Sequence, residues 1–301
     1  MTRGVSGKTI ARLFAVIIAA PTLTGPARAA QSYTPIPDLS GFWGRNSLPY
    51  ETPSTGLGPV ENASRLSSGA RDRTMLVGDT TNPILTPQAA QIVKRFGEIS
   101  RSGKGFPDPQ TQCWPQSPPY ILRAPATQIV QRRDQMLILY QNDHQVRHIF
   151  LNEAHPAHVT PSWYGHSVGH FEGDTLVVDT VGIKVGPFSM IDRFGTPYSE
   201  SLHLVERFRL IDIEAANAAM AHNERLNGRL ENASADPNDT GKGLQIRFTV
   251  EDPNFFTAPW SANVTYRRNI DLWVENVCAE NLHNYGVAED PDVPVADRPD
   301  F

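Results

Sequence analysis

Histidine is the residue whose distribution asks for a chemical explanation. Six of the nine histidines fall between positions 144 and 170: His144, His148, His155, His158, His166 and His170. Imidazole titrates near neutrality, shuttles protons and is a common metal ligand. Side chains alternate along an extended strand, so His144 shares a face with His148, and His166 with His170. The segment 152–164 carries His155 and His158 and joins the two stretches. Three histidine-bearing pieces of chain therefore converge.

A transition-metal site is one reading of such a group, with Glu153 or Glu172 as a carboxylate ligand. No ordered metal motif of the H-E-x-x-H kind supports it. Residues four apart on a straight strand are about 13 Å apart, so His144 and His148 cannot share an ion, nor can His166 and His170. Cofactor-free acid–base chemistry is the preferred reading, with His155, His166 and His170 as proton-transfer groups. Glu206 strengthens it. In Leu202-His203-Leu204-Val205-Glu206-Arg207-Phe208, alternation puts Glu206 on the apolar face of Leu204 and Phe208. An inward carboxylate must be paired or have a raised pKa. It is either a catalytic partner of a histidine or the satisfied partner of a structural arginine.

Asp252 and Trp260 end one strand and begin the next, where they could line a barrel mouth. An Asp-Pro turn with an aromatic plug is the plainer alternative. Arg147 and Trp163, from the histidine-rich stretch, complete the candidate ligand-binding set. Ser167 sits in Gly165-His166-Ser167-Val168-Gly169, but in an expected strand rather than the sharp strand-to-helix turn of a nucleophile elbow. There is no P-loop and no dinucleotide fingerprint.

These residues need a scaffold, and the pattern of the chain predicts mainly β structure. Residues 31–115 form an extended arm with one helix, about 87–101, opened by Thr86 as N-cap and Pro87 in the first turn. Asp38–Trp43 is a compact apolar patch that suits a first strand or a packed arm. From 116 to 285 short alternating segments recur: 128–131, 135–141, 144–151, 165–172, 175–180, 202–210, 244–250, 263–267 and 272–278. Arg132-Arg133-Asp134 and Gly173-Asp174 are hairpin turns between them. A lipocalin-like antiparallel β-barrel disposes of the strand edges, with a β-sandwich as the alternative. Residues 212–243 form an excursion, with a short alanine-rich helix from Asp212 through Ala221, and 286–301 are a tail.

Residues 1–30 read as a secretory signal. Arg3, Lys8 and Arg12 precede a short apolar run, and Ala27-Arg28-Ala29 is a small-x-small cleavage site. The run is shorter than the roughly 20 residues of a membrane span. A periplasmic or secreted location follows, and there Cys113 and Cys278 read first as a disulfide, with two buried thiols or one reactive thiol as alternatives. The net charge of −5 is mild and unclustered and argues against a nucleic-acid partner, which would need a basic stripe. A small-molecule ligand or substrate is the expected partner, and oligomeric state stays open.

Several segments taken together resemble an abundant, largely uncharacterised family of secreted bacterial β-proteins. They are Val146–Phe150, His155-Pro156, Pro161–Thr180 with Gly165-His166-Ser167-Val168-Gly169-His170-Phe171-Glu172-Gly173-Asp174 at its centre, Leu202–Arg207, Glu251-Asp252-Pro253, Ala258-Pro259-Trp260 and Glu275–Asn281. The resemblance spans roughly residues 113–283. It implies an exported β-protein and assigns no catalytic roles. His170 and the length of the 212–243 segment depart from the pattern. The reading is a periplasmic lyase, isomerase or hydrolase acting on a small, partly apolar molecule. A lipocalin-like carrier of a hydrophobic molecule and a histidine-ligated metalloprotein are the alternatives.

Overall fold

A computed structural model describes residues 36–104, 107–230, 235–269 and 276–278. The expected signal, the tail and Glu275, Glu280 and Asn281 lie outside these residues. Two α-helices, two short 3-10 helices (Tyr120–Arg123 and Asn142–His144) and nine strands are present among those described: β1 Gly41–Gly44, α1 Pro87–Arg101, β2 Ala126–Gln131, β3 Gln135–Tyr140, β4 Val146–Leu151, β5 His166–Glu172, β6 Thr175–Val181, β7 His203–Ile211, α2 Ile213–Asn227, β8 Gly243–Glu251 and β9 Trp260–Arg268. The strands close into one barrel in chain order, with β1 pairing both β2 and β9. Closure removes the exposed edges that a sandwich would leave.

The barrel is not antiparallel throughout. β4 and β5 run parallel, with Phe150 opposite Val168. A closed ring with an odd number of strands cannot alternate direction all the way round, so one like-directed pair is obligatory. A parallel pair needs a crossover of about a dozen or more residues. Here it is 152–165, which leaves β4 through Asn152 at φ 60° and enters β5 through Gly165 at φ 65°. A Cβ on Gly165 would lie 2.6 Å from the Val181 carbonyl oxygen, so glycine is required at that entry. The crossover is strapped to the chain after β6: Ser162 donates its N–H to Gly182 O at 3.1 Å, and Lys184 donates to Ser162 O at 2.8 Å.

Alternation fills the interior. Leu204 and Phe208 of β7, Ile246, Phe248 and Val250 of β8, and Trp260, Val264 and Tyr266 of β9 are buried in one continuous core. The expected arm contributes to the barrel as well, since Trp43 of β1 is fully buried and pairs with Thr127 and Arg268. α1 begins as its sequence dictates, with Thr86 Oγ1 accepting from Ala89 N at 3.3 Å and Pro87 in the first turn. α2 runs past Ala221 to Asn227, because Met220, Asn223 and Asn227 are buried rather than solvated. Asn223 Nδ2 donates to Pro49 O at 3.0 Å, which docks the helix on the arm.

Cys113 and Cys278 form a disulfide, with their Cα atoms 5.3 Å apart. The strand expected over 272–278 falls mostly outside the described residues, and 276–278 are not strand. His144 likewise is not in a strand. It sits at φ 50° in the turn before β4, so it shares no face with His148.

Candidate functional site

Register decides which outward side chains meet. Val168 of β5 faces Asp179 of β6, Asp179 faces Val205 of β7, and His203 of β7 faces Glu251 of β8. His166, Asp179, His203 and Glu251 therefore form a diagonal line on the outer wall, one from each of four successive strands. Diagonal neighbours across a strand pair lie within reach of long side chains. The crossover drops His155 onto this line.

The contacts form a chain. His155 Nδ1 lies 2.9 Å from His166 Nδ1. His155 Nε2 lies 2.9 Å from Asp179 Oδ1, and His203 Nε2 lies 2.9 Å from Asp179 Oδ2. Glu251 approaches the far side of His203, with Oε2 3.6 Å from Nδ1. Phe150 stacks on His166 with centroids 5.4 Å apart and planes 20° apart. The His155, Asp179 and His203 side chains are 24%, 40% and 34% exposed, so the line is open to solvent.

Hydrogen-bond logic fixes the tautomers. An ionised carboxylate only accepts, so His155 presents Nε2–H to Asp179. In neutral His155 the Nδ1 atom is then an acceptor, and His166 must supply Nδ1–H across the contact. That leaves the His166 Nε2 lone pair free. The environment favours this state. The His203 hydrogen bond, with that of His155, holds the Asp179 pKa below its usual range against a desolvation penalty. Burial first, and then the nearby His155, hold His166 below the ordinary imidazole value. The Asp179 hydrogen bond pushes His203 the other way, above that value.

The structure separates the other expected residues from this line. Glu206 does face inward, but it pairs with Arg147 and not with a histidine, and both side chains are fully buried. Arg147 Nη1 donates to Glu206 Oε1 at 2.9 Å, its Nε donates to Ser167 Oγ at 3.2 Å, and its Nη2 donates to Thr180 Oγ1 at 2.8 Å. Arg147 is thus a core residue that satisfies Glu206, and Ser167 is consumed in the same network. His170 points away to Glu172 Oε1 at 3.2 Å, on an exposed part of β5, because Glu172 is its neighbour on that face. His148 and His158 are exposed.

Trp163 packs edge-on against Trp114 at 5.3 Å, with the Lys184 ammonium 4.9 Å from its ring. Asp252 is a buried turn residue whose Oδ1 accepts from Ser199 Oγ at 2.9 Å. Trp260 is a core plug against Phe248 and Phe256, not the wall of an open mouth. Among the described residues no group of three His, Cys, Asp or Glu side chains converges as a metal-ligand set. The two nearest imidazoles spend their facing nitrogens on each other.

Asp179, His203 and Glu251 complete the line without having stood out in the sequence as site residues. Alternation within Thr175–Val181 does mark Asp179 as outward, and the Gly173-Asp174 turn sets its register against His166. No family model, no curated protein and no solved structure matches this chain.

Proposed function

We propose that this chain is an exported, cofactor-free acid–base catalyst, a hydrolase, lyase or isomerase, working on the outer wall of its barrel. One observation carries the reading: two imidazoles joined Nδ1 to Nδ1 at 2.9 Å, with the inner one anchored on a carboxylate at 2.9 Å. His166 Nε2 is the base. When it takes a proton, the Nδ1 proton of His166 can pass to His155 Nδ1. The positive charge then rests on His155, whose Nε2 lies 2.9 Å from Asp179 Oδ1. Asp179 is a positioning residue for both histidines. The flat face of Phe150 beside His166 suits a small, partly apolar substrate.

A carrier function is less well supported. A lipocalin-like carrier needs room inside the barrel, whereas Phe208, Phe248, Trp260, Tyr266 and the Arg147–Glu206 pair occupy the interior.

The test is a turnover screen over esters, lactones, epoxides and β-elimination substrates, comparing the parent with His166→Gln and Asp179→Asn. General acid–base catalysis contributes about 10²–10⁴-fold. His166→Gln is expected to lose most of that factor on any substrate the parent turns over. Asp179→Asn is expected to lose a smaller part and to shift the acid limb of the pH profile. Undiminished turnover in His166→Gln removes the proposal.

A further inference from the structure

A second feature shares no residue with the imidazole line. A cleft of about 890 Å³, solvent at its mouth included, opens between the arm, the segment after β6 and the end of α2. Leu48, Tyr50, Val60, Leu76, Phe194 and Leu230 give it apolar walls. Its charge runs against that of the chain: four arginines, Arg71, Arg73, Arg123 and Arg193, face two carboxylates, Glu61 and Asp192, in a protein of net charge −5.

Two of the four cations are already used. Arg71 pairs with Glu61 and donates to Asn227 Oδ1 at 2.8 Å. Arg73 donates to Arg229 O at 2.6 Å. The Asp192 carboxylate is used as well, accepting from Phe194 N at 2.8 Å and Thr196 Oγ1 at 2.7 Å.

Arg123 differs. It is 3% exposed and lies over the Tyr120 ring at 4.1 Å. Its Nε and Nη1 donors have no hydrogen-bond partner among the described residues. A buried donor left empty is costly, and most of all on a charged group. Arg193 lines the same cleft, and burial followed by the charge of Arg123 lowers its pKa. Burial works against the Arg123 charge as well, but Tyr120, Tyr50 and Asp108 outweigh it, so the unrelieved cation of the two is Arg193, and one anion between them would serve both. Arginine's planar fork matches carboxylate and phosphate alike, but Glu61 and Asp192 beside it resist a second negative charge.

We propose that this cleft binds a small organic monoanion, a carboxylate on an apolar body, with Arg123 and Arg193 on the carboxylate and Leu76, Phe194 and Leu230 against the body. The test is calorimetric titration of the folded chain with octanoate, octan-1-ol and inorganic phosphate as probes. Octanoate is expected to bind one-to-one, with octanol and phosphate each roughly tenfold weaker or more, since truncating one side of a buried charge pair costs at least that factor. Arg193→Gln is expected to cut octanoate affinity by a similar factor while leaving octanol unchanged. Arg123→Gln should do the same if its circular dichroism matches the parent. His166→Gln should bind octanoate as the parent does, which separates this site from the imidazole line. Octanol binding as tightly as octanoate, undiminished octanoate binding in Arg193→Gln, or no octanoate binding at all would each overturn the proposal.

Discussion

Replacing Glu206 by Gln is the most demanding perturbation of the barrel interior. The substitution keeps the volume and removes one negative charge. In the parent, the Arg147 guanidinium has all its edges occupied: Glu206, Ser167 and Thr180 accept from it, and none of these side chains is more than 1% exposed. Burial works against the Arg147 charge, but the Glu206 carboxylate outweighs it, and the arginine pKa ends above its usual value. In Glu206→Gln the cation stays buried with neutral acceptors only, and the new amide turns a donor towards it. Breaking a buried pair from one side costs about 3–5 kcal/mol. At roughly 2–4 °C per kcal/mol, that is a fall of about 6–20 °C in Tm. The double variant Arg147→Met/Glu206→Leu removes both charges and leaves Ser167 and Thr180 bonded to each other, as they already are at 3.0 Å. It should recover most of the loss, because apolar replacements of buried pairs are often neutral or better. Urea unfolding followed by tryptophan fluorescence, with the disulfide intact, measures both variants. A Glu206→Gln protein within about 1 kcal/mol of the parent, or a double variant no better than the single, refutes the reasoning.

Three further outcomes are expected. The hydrogen bond that His203 donates to Asp179 is the main reason its pKa is raised above 6.5. Its stabilisation is fully present below that pH and fades as pH rises through the raised value, so in Asp179→Asn the His203 NMR titration moves down; an unmoved titration refutes the linkage. The disulfide closes a separation of 165 residues, for which the chain-entropy model gives about 5 kcal/mol as an upper figure. Cys113→Ala/Cys278→Ser should therefore unfold at a clearly lower urea concentration, and an unchanged midpoint counts against the model. Burial raises the Asp192 pKa from 3.8 to about 6. The native state therefore holds that proton more tightly, and stability is lost as pH climbs between those values, by about 3 kcal/mol. Asp192→Asn should gain on the parent across that window, and parallel stability curves would contradict this.

The barrel was largely legible because its signals are local. The alternation of Leu244, Ile246, Phe248 and Val250 and the turns at Arg132–Asp134 and Gly173-Asp174 are short-range features, and the strands follow them. The inward turn of Glu206 was legible for the same reason. Its partner was not, because Arg147 reaches it across the barrel from β4, a pairing no local spacing encodes. The convergence of His155 and His166 was legible from their placement on a loop and the strand it leads into. Asp179 was within reach through the hairpin register. His203 was not, because 182–202 separates β6 from β7 and hides their register. The parallel β4–β5 pair escaped notice because two strands flanking a polar segment look alike whether the chain turns back or crosses over.

That crossover divides the molecule's obligations unequally. The ladder residues of β4 and β5 must keep register, or every side chain they carry changes sides. The stretch between them answers to fewer constraints: the glycine entry into β5 and the strap at Ser162. One imidazole of the pair thus rides on a replaceable strand connector while the other is fixed to the wall. Grafting a different connector between the same two anchor points would change what stands beside His166 and leave the barrel ladder beneath it unaltered.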